Sequence, residues 1–310
     1  MTDTPLTSLV SGAVLPEESL VLAAATVRAY LDAVDDDASV YWTTRPDGVR
    51  DLGLVPPLAV AALALRPLAA RVARAPGSLH TGQDLAFHRT VAVGETLRVR
   101  TRVALASRRR TASALAIEAI VGGDDDGPSG ALEGKMLLFV AREAADDGPT
   151  APADHGEPAD VGPVRRPAAS DGDPGSTPST PGAVLPVLER IVTQERIDRY
   201  AAASGDLNPI HRDPRAARAA GLDSTIAHGM LLLAYLSTMM TGAFGRAWLE
   251  TGSLKVRFRR PAPSGSVVLT GGRLDRFERH GGVQYAVCSI LASDAGGHAF
   301  VSGVAHVAVV

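Results

Sequence analysis

The sequence lacks several features that mark common classes of protein. Its 310 residues include one cysteine, Cys288, so no disulfide can form within the chain. Aromatic residues make up only 4% of the chain, so a hydrophobic core has to be built mainly from Ala, Val and Leu. The formal net charge is −3, and the three arginines at 108–110 are more typical of a solvated hairpin turn than of a nucleic-acid surface. The composition therefore disfavours a disulfide-stapled domain and a nucleic-acid partner.

Other absences concern membranes and cofactors. No run of 18 uncharged apolar residues is present, which argues against a membrane span. No zinc-ligand spacing, Walker A loop or dinucleotide-binding fingerprint occurs, so we expect neither a metal ion nor an organic cofactor. The N-terminus has no cationic segment before an apolar run, and the single thiol suits a reducing compartment. A cytoplasmic protein is the resulting expectation.

One long segment differs in composition from the rest. Residues 144–182 are rich in Pro, Gly, Ala, Asp, Ser and Thr and have almost no large apolar side chains. Such a segment buries too little surface to offset the entropy lost on ordering. We interpret it as a flexible linker between an N-terminal domain, 1–143, and a C-terminal domain, 183–310.

The two domains resemble each other in layout. An offset of 170 residues places Tyr30 on Tyr200, and it also places Tyr41 on His211. Both halves then show a helix, an irregular loop, a longer apolar helix and a run of strands. The shared order and nearly constant offset predict an internal duplication.

Periodicity and capping signals predict the elements of each half. In the second half a helix at 195–203 follows the N-cap Thr193 and ends at Gly205, a short helix follows Asp213 and ends at Gly221, and an apolar, hence buried, helix spans 230–243. The first half has predicted helices at 20–31 and 58–72, the second kinked or ended by Pro67. Predicted strands lie at 85–91, 96–105, 112–120, 136–141, 253–259, 266–274, 284–292 and 298–309. This pattern predicts an α+β fold in which an antiparallel sheet wraps a buried helix.

The chemistry-bearing residues lie in the irregular loop of the second half. Asp206, Asn208 and His211 fall within six residues, and Pro209 argues against a helix there. In a loop the carboxylate and the imidazole can converge on one water and act as a general acid/base pair. Gly229 lies where the long helix begins, so its N–H is free to stabilise an oxyanion.

Simpler interpretations stay open for each of these residues. Asp206 after a glycine is also typical of a turn, and His211 alone is typical of an ordinary buried or surface histidine. His228 can cap the helix, or it can join Asp206 and His211 in a metal site, although their spacing matches no known metal motif. Ser204 lacks the flanking glycines of a nucleophile elbow.

Taken together, the stretch resembles the hydratase 2 motif of the MaoC-like dehydratase family. The matching residues are Tyr200, Ser204-Gly205-Asp206, Asn208-Pro209, His211 and Ala227-His228-Gly229. The first half is similar, more weakly, to the N-terminal domain of double hot-dog (R)-specific enoyl-CoA hydratases, mainly at Pro56-Pro57 and at 79–97.

The resemblance implies a double hot-dog fold and a hydro-lyase of fatty-acid metabolism. In the family's reaction, water adds reversibly to a trans-2-enoyl thioester and gives the (3R)-hydroxyacyl thioester. By position, Asp206 and His211 would move the protons of the water, Asn208 would support them, and the Gly229 N–H would hold the thioester oxygen. No cofactor and no metal is implied.

The repeat predicts that only one half is catalytic. In the first half Asp36 keeps the carboxylate, but Ala38 replaces Asn208 and Tyr41 replaces His211. With a loop shorter by two residues, Pro57 falls on Gly229, and proline has no N–H. We therefore expect a silent first half that houses the acyl tail or shapes the interface.

Several alternatives remain for the function. The substrate carrier can be CoA or acyl carrier protein, the latter for a 3-hydroxyacyl-ACP dehydratase. An acyl thioesterase and a non-catalytic subunit that binds acyl thioesters are further alternatives. Basic residues on a predicted strand would favour CoA if they face the pocket, although an ordinary solvated strand face is the simpler interpretation: Lys255, Arg257, Arg259 and Arg260. The halves are expected to pack with sheets joined edge to edge, and a homodimer is possible.

Overall fold

The computed structural model describes residues 6–73, 78–108, 112–141 and 177–309. The predicted turn at 109–110 and most of the predicted linker, 144–176, lie outside the described residues. Within the described part of the linker, the Gly182 N–H already donates to the Leu274 carbonyl at 2.7 Å. Gly182 is therefore hydrogen-bonded to a strand of the second half.

Seven helices occur in the described residues. Five have eight or more residues, and each half contains a buried one near its centre: α2 in the first half and α6 in the second. The helices are α1 (Ala24–Val34), α2 (Pro57–Ala64), α3 (Arg66–Ala73), α4 (Gln194–Ser204), α5 (Pro214–Ala219), α6 (Gly229–Phe244) and α7 (Arg246–Thr251). Among the described residues, no helix combines the length and the apolar character needed to cross a lipid bilayer.

The strands form one large antiparallel sheet and two small ones. The strands are β1 (Glu18–Val21), β2 (Trp42–Thr44), β3 (Arg50–Leu52), β4 (Leu54–Val55), β5 (Ser78–Phe87), β6 (Val91–Ala92), β7 (Thr96–Arg108), β8 (Ala112–Gly122), β9 (Leu132–Ala141), β10 (Glu189–Ile191), β11 (Ser253–Phe258), β12 (Val267–His280), β13 (Val283–Ser293) and β14 (Ala299–Val309). The large sheet has the order β1-β7-β8-β9-β5-β11-β14-β13-β12-β10.

The two halves meet at the centre of this sheet. β5 of the first half pairs with β11 of the second, in a register that runs from Ser253 opposite Ala86 to Arg257 opposite Gly82. Each half thus contributes five strands and wraps them around its own buried helix, so the α+β double hot-dog prediction and the edge-to-edge joining are confirmed. The pairing removes the two sheet edges that would otherwise lie open.

Local sequence signals account for the helix ends near the site. The Thr193 side chain accepts from the Arg196 N–H and begins α4. Gly205 ends α4 in the left-handed conformation, with φ of 76°. A side chain at Gly205 would also clash with Arg66, which packs there from the first half. Glycine is therefore required at the residue that directly precedes Asp206.

Some predicted boundaries were wrong. The helix predicted at 20–31 begins at Ala24, because the preceding residues form the edge strand β1 on β7. The equivalent edge strand β10 was not predicted at all, since three and four residues are too few to show a period. Pro67 does not kink a single helix. The first helix, α2, ends at Ala64, and Pro67 is the second residue of the next helix, α3.

The largest errors in the strands concern β5 and β12. The strand predicted at 85–91 lies at 78–87, because its first residues are polar and lack the alternation of apolar residues that predicts a strand. β12 continues six residues past its predicted end, to His280. The helix at 230–243 and the strands at 253–259, 284–292 and 298–309 agree with the structure to within one residue.

Candidate active site

The loop after α4 is folded by its own polar side chains. Asp206 Oδ1 accepts from the Asn208 N–H at 3.2 Å, and Asn208 Oδ1 accepts from the Ile210 N–H at 3.3 Å. These two turns lead into a short 3₁₀ helix, Pro209–His211, of which Asn208 is the N-cap. Asn208 thereby supports the loop through its backbone contacts, and it also lines the cavity beside Asp206 and His211.

The orientation of His211 follows from its hydrogen bond to the backbone. His211 Nδ1 lies 2.8 Å from the Ile226 carbonyl, which can only accept, so Nδ1 carries the proton. His211 Nε2 is then the basic nitrogen of the neutral ring. Burial lowers the pKa of His211, while the Asp206 charge and the hydrogen bond to Ile226 oppose this shift. A neutral imidazole next to a carboxylate is therefore the state at neutral pH.

His228 lies behind His211 and holds the loop. The two imidazole rings are stacked, with centroids 3.8 Å apart and an angle of 30° between the planes. His228 Nε2 donates to the Asp206 carbonyl at 3.0 Å, so the residue before the helix is tied to the residue that carries the carboxylate. Burial lowers the pKa of His228 well below its usual value, and His211 adds to this. His228 is the N-cap residue of α6 by position, but its side chain makes no hydrogen bond to the helix.

Gly229 is the first residue of α6, as the sequence predicted. The first hydrogen bonds of the helix run from Leu231 and Leu232 to the His228 carbonyl. Among the described residues, nothing accepts a hydrogen bond from the Gly229 N–H, and Gly229 lines the cavity. A Cβ atom at this position would lie 2.6 Å from Phe258 Cε1, so only glycine fits against that ring. The helix dipole adds positive potential at the same point.

The four predicted residues line one cavity of about 300 Å³, which is at the small end for small-molecule sites. Asp206, Asn208, His211 and Gly229 form one wall. The first half also lines the cavity, with residues such as Leu65, His80 and Leu138. The cavity thus lies between the halves, and the first half takes part in it.

Asp206, His211 and His228 offer donor atoms within 4.8 Å of one another, as a metal site would. A metal ion lies near the plane of each imidazole that binds it, about 2.0–2.1 Å from the nitrogen. The stacked arrangement of His211 and His228 does not direct both rings at one point. The geometry suits proton transfer better than metal binding.

The basic residues proposed to favour CoA differ in their surroundings. Arg259 and Arg260 line the cavity, whereas Arg257 and Lys255 do not. Arg257 pairs with Asp84 at 3.2 Å and Arg260 pairs with Asp294 at 2.6 Å. Arg259 donates to the neutral Ser302 hydroxyl at 2.9 Å. Of the two arginines on the cavity wall, Arg259 is the one bonded to a neutral group.

The first half contains the counterpart of this loop, with different chemistry. Tyr41 ends the 3₁₀ helix Ser39–Tyr41 as His211 ends its own, and Pro57 begins α2 as Gly229 begins α6. The Tyr41 hydroxyl donates to Asp36 at 3.2 Å, and the Thr238 hydroxyl donates to the same carboxylate at 2.9 Å. Burial raises the pKa of Asp36. The carboxylate is thus occupied by side chains from both halves.

Sequence reasoning missed two residues that shape the site. Arg66, from α3 of the first half, donates to the carbonyls of Ala203 and Ser204, both at 3.1 Å, and so holds the end of α4. Phe258 packs against Gly229. No local pattern indicates the first, because its hydrogen-bond partners lie 137 and 138 positions away in the sequence. No local pattern indicates the second, since it depends on how β11 meets α6.

In comparison with known proteins, each half of the chain matches a protein family. Residues 177–281 match the family described as MaoC like domain. Residues 10–120 match the family described as FAS1-like, dehydratase domain region. The two matches follow the duplication that the sequence predicts.

Two curated relatives match a shorter stretch. A mitochondrial 3-hydroxyacyl-[acyl-carrier-protein] dehydratase of Arabidopsis thaliana is 36% identical over 80 residues, which are 26% of this chain and 47% of the relative. A 3-hydroxyacyl-thioester dehydratase Z of Mycobacterium tuberculosis is 41% identical over 81 residues, or 25% of this chain and 54% of the relative. The chain spans about half the length of these relatives.

Solved structures match over the whole chain. One described as a MaoC-like dehydratase has a TM-score of 0.72 at 19% identity, covering 98% of this chain and 99% of the other. A Mycobacterium tuberculosis protein described as having a double hotdog fold has a TM-score of 0.64 at 16% identity, with coverages of 99% and 98%. At these identities the likeness establishes the fold alone. The chain therefore contains a MaoC like domain at 177–281, preceded by a FAS1-like dehydratase region at 10–120, and it has a double hot-dog fold.

Proposed function

We propose that the protein is a hydro-lyase that interconverts trans-2-enoyl thioesters and (3R)-hydroxyacyl thioesters by acid/base catalysis. The observation that supports the proposal is the shared cavity, which Asp206, His211 and Gly229 all line. The names of the two curated relatives, both 3-hydroxyacyl dehydratases, support the same class of substrate.

In hydration, a water held between His211 Nε2 and the Asp206 carboxylate attacks C3 of the enoyl group. The oxygen of this water forms the new C–O bond while the C2–C3 π electrons move towards the thioester carbonyl. The pair takes one proton from the water and delivers one proton to C2, so neither residue is changed over a full cycle. Dehydration is the same path in reverse.

The Gly229 N–H would stabilise the enolate oxygen that develops on the thioester. It lies at the positive end of the α6 dipole and needs no rearrangement to donate. Asn208 and His228 would act on the geometry: Asn208 caps the 3₁₀ helix that presents His211, and His228 fixes the Asp206 backbone. His228 is therefore a positioning residue in this mechanism.

We further propose that 183–310 is the catalytic domain and 1–143 a silent one, joined by a linker at 144–182. Tyr41 lacks a basic nitrogen, Pro57 lacks an N–H, and the Asp36 carboxylate is engaged by Tyr41 and Thr238. The substitution Tyr41→His should restore no hydration to a protein that carries Asp206→Asn. Recovery of activity in the double variant would contradict a silent first half.

The experiment that separates the alternatives follows two signals in the same reaction mixtures. Short and long trans-2-enoyl thioesters of CoA and of acyl carrier protein are supplied, and the enoyl absorbance and the free thiol are both followed. The proposal predicts loss of the enoyl absorbance without release of thiol, and the faster carrier identifies the substrate form. Thiol release faster than hydration would indicate a thioesterase, and thioester binding without either reaction would indicate a binding subunit.

A further inference from the structure

The inward face of β5 is polar where a hot-dog core is normally apolar. In the pairing with β9, Ser78 lies opposite Val140, His80 opposite Leu138 and Gln83 opposite Met136. Residues that pair across strands share a face of the sheet. A bulge between His80 and Gly82 adds one residue, which keeps His80 and Gln83 on the same side. The partners on β9 are buried in the core, so Ser78, His80 and Gln83 also point inward.

The corresponding strand of the second half shows the usual pattern. β11 turns Leu254, Val256 and Phe258 towards its interior, and Val256 lies directly opposite Gln83 in the central pairing. The same position in the sheet is thus apolar in one half and polar in the other. A polar interior face is costly unless each group finds a hydrogen-bond partner. An explanation of this polar inward face of β5 therefore has to identify the groups that contact it.

Two of the polar atoms on this face have no partner within the described residues. They are Ser78 Oγ and Gln83 Oε1, in residues that are 7% and 0% exposed. Ser78 lines the same cavity as Asp206. Buried polar groups are nearly always satisfied in folded proteins, so a hydroxyl without a partner on the wall of a cavity points to a ligand.

His80 lies on the same wall and is neutral. Its Nε2 lies 3.0 Å from the Gly82 carbonyl, which can only accept, so Nε2 carries the proton and Nδ1 is an acceptor. Burial lowers the pKa of His80 to about 4. The arginines of the cavity wall, Arg259 and Arg260, follow β11 and are not on this strand. The β5 residues that line the cavity thus offer hydrogen bonds from neutral side chains.

His80 is connected to Gly229 through a packed aromatic ring. Its ring packs on Phe258, with centroids 4.7 Å apart, and Phe258 in turn packs on Gly229. One aromatic ring therefore separates His80 from the N–H assigned to the thioester oxygen. A substituent several bonds beyond the double bond is the part of a substrate suited to reach this wall.

We propose that this wall recognises a hydroxyl group on the acyl chain, beyond the reacting C2–C3 bond. A hydroxyl can accept from Ser78 Oγ and donate to His80 Nδ1, which matches one donor and one acceptor on the wall. An alkyl chain would leave the Ser78 hydroxyl unpaired, and a carboxylate, which can only accept, would set an acceptor against His80 Nδ1. The substrate class is thus hydroxylated enoyl thioesters, and this statement rests on the function proposed above.

The test compares matched substrates in wild type and three variants. The substrates are a six-carbon trans-2-enoyl-CoA and its analogues with a terminal hydroxyl, a terminal aldehyde and a terminal carboxylate. Ser78→Ala and His80→Phe remove the proposed partners. Ser113→Ala is the matched control, because Ser113 Oγ is also buried without a partner among the described residues but Ser113 does not line the cavity.

We expect wild-type kcat/KM for the hydroxyl substrate to exceed that for the alkyl substrate by about tenfold, as one net hydrogen bond allows. Ser78→Ala and His80→Phe should each remove most of this ratio, and Ser113→Ala should keep it. A wild-type ratio near one, a preference for the carboxylate or aldehyde, or variants that slow both substrates equally would overturn the proposal.

A binding measurement keeps this test separate from the test of catalysis. The saturated hydroxyacyl-CoA and its alkyl counterpart are titrated by calorimetry against wild type and the same variants. Tighter binding of the hydroxyl form, lost in Ser78→Ala, supports the proposed recognition even if no thioester is hydrated. Equal affinities overturn it, even if hydration is fast.

Discussion

The substitution Gly229→Ala tests the proposed oxyanion site at a single atom. The added Cβ would lie 2.6 Å from Phe258 Cε1 and 2.8 Å from Phe258 Cζ. Carbon atoms in contact prefer about 3.5–4.0 Å, so the ring has to move by about 1 Å or the start of α6 has to tilt. Either movement changes the path by which a thioester oxygen reaches the Gly229 N–H.

The expected loss follows from the role assigned to this N–H. Removal of one oxyanion donor costs about 10²–10³ in kcat, and a displacement of about 1 Å in a catalytic geometry can cost about 10²-fold. We therefore expect kcat for enoyl-thioester hydration to fall by about 10²-fold in Gly229→Ala. KM should change less, because the carbonyl gains charge only in the transition state.

The chain offers a matched control in the same helix. Gly242, near the other end of α6, is exposed and has open space where its Cβ would lie. Gly242→Ala should leave kcat unchanged and stabilise the fold by about 0.5–1 kcal/mol, since alanine favours helix. Steady-state kinetics and thermal unfolding of both variants form the assay. A Gly229→Ala protein that is folded and retains wild-type kcat would refute the oxyanion role.

Three further predictions concern the groups around the site. If neutral His211 is required, kcat/KM should be constant at neutral pH and fall as pH decreases through the pKa of His211, at a point below the usual value because burial lowers that pKa; a midpoint above the usual value would contradict this. Arg66→Ala should lower kcat about tenfold and stability by about 1–3 kcal/mol, because it frees the carbonyls before Asp206, while Arg66→Lys should recover part of both; a loss in stability alone would make Arg66 merely structural. Burial raises the pKa of Asp36, so the folded wild type binds the proton of this carboxyl group more tightly than the unfolded chain does. The free energy of unfolding of the wild type, relative to that of Asp36→Asn, should therefore fall as pH rises from about 4 through the raised pKa. Chemical denaturation of both proteins over this range measures the difference in free energy, and a difference that stays constant would refute the prediction.

Local signals in the sequence were sufficient to predict the loop that contains Asp206 and His211. Thr193, Gly205 and Gly229 each act within a few residues of their own position, as N-cap, C-cap and first helical residue. The comparison of Tyr41 with His211 was also correct, because a duplicated chain keeps its loop geometry even where the chemistry has changed. Predictions of this kind need no knowledge of how distant segments meet.

Features that depend on contacts between the halves could not be predicted. The hydrogen bonds of Arg66 join residues 137 and 138 positions apart, and no local pattern records such a contact. The first part of β5 was missed for a related reason. Ser78, His80 and Gln83 replace the apolar residues of an inward strand face, so the alternation that identifies a strand is absent.

The central claim is that Asp206 and His211 act together on one water, and the rate of enoyl-thioester hydration tests it most directly. Wild type, Asp206→Asn, His211→Gln and the double variant are compared at equal folded concentration. We predict losses of about 10²–10⁴ in kcat for each single variant. The double variant should lose little more than the slower single variant, since residues that act as a unit are not additive. Hydration at the wild-type rate in either single variant would contradict the account.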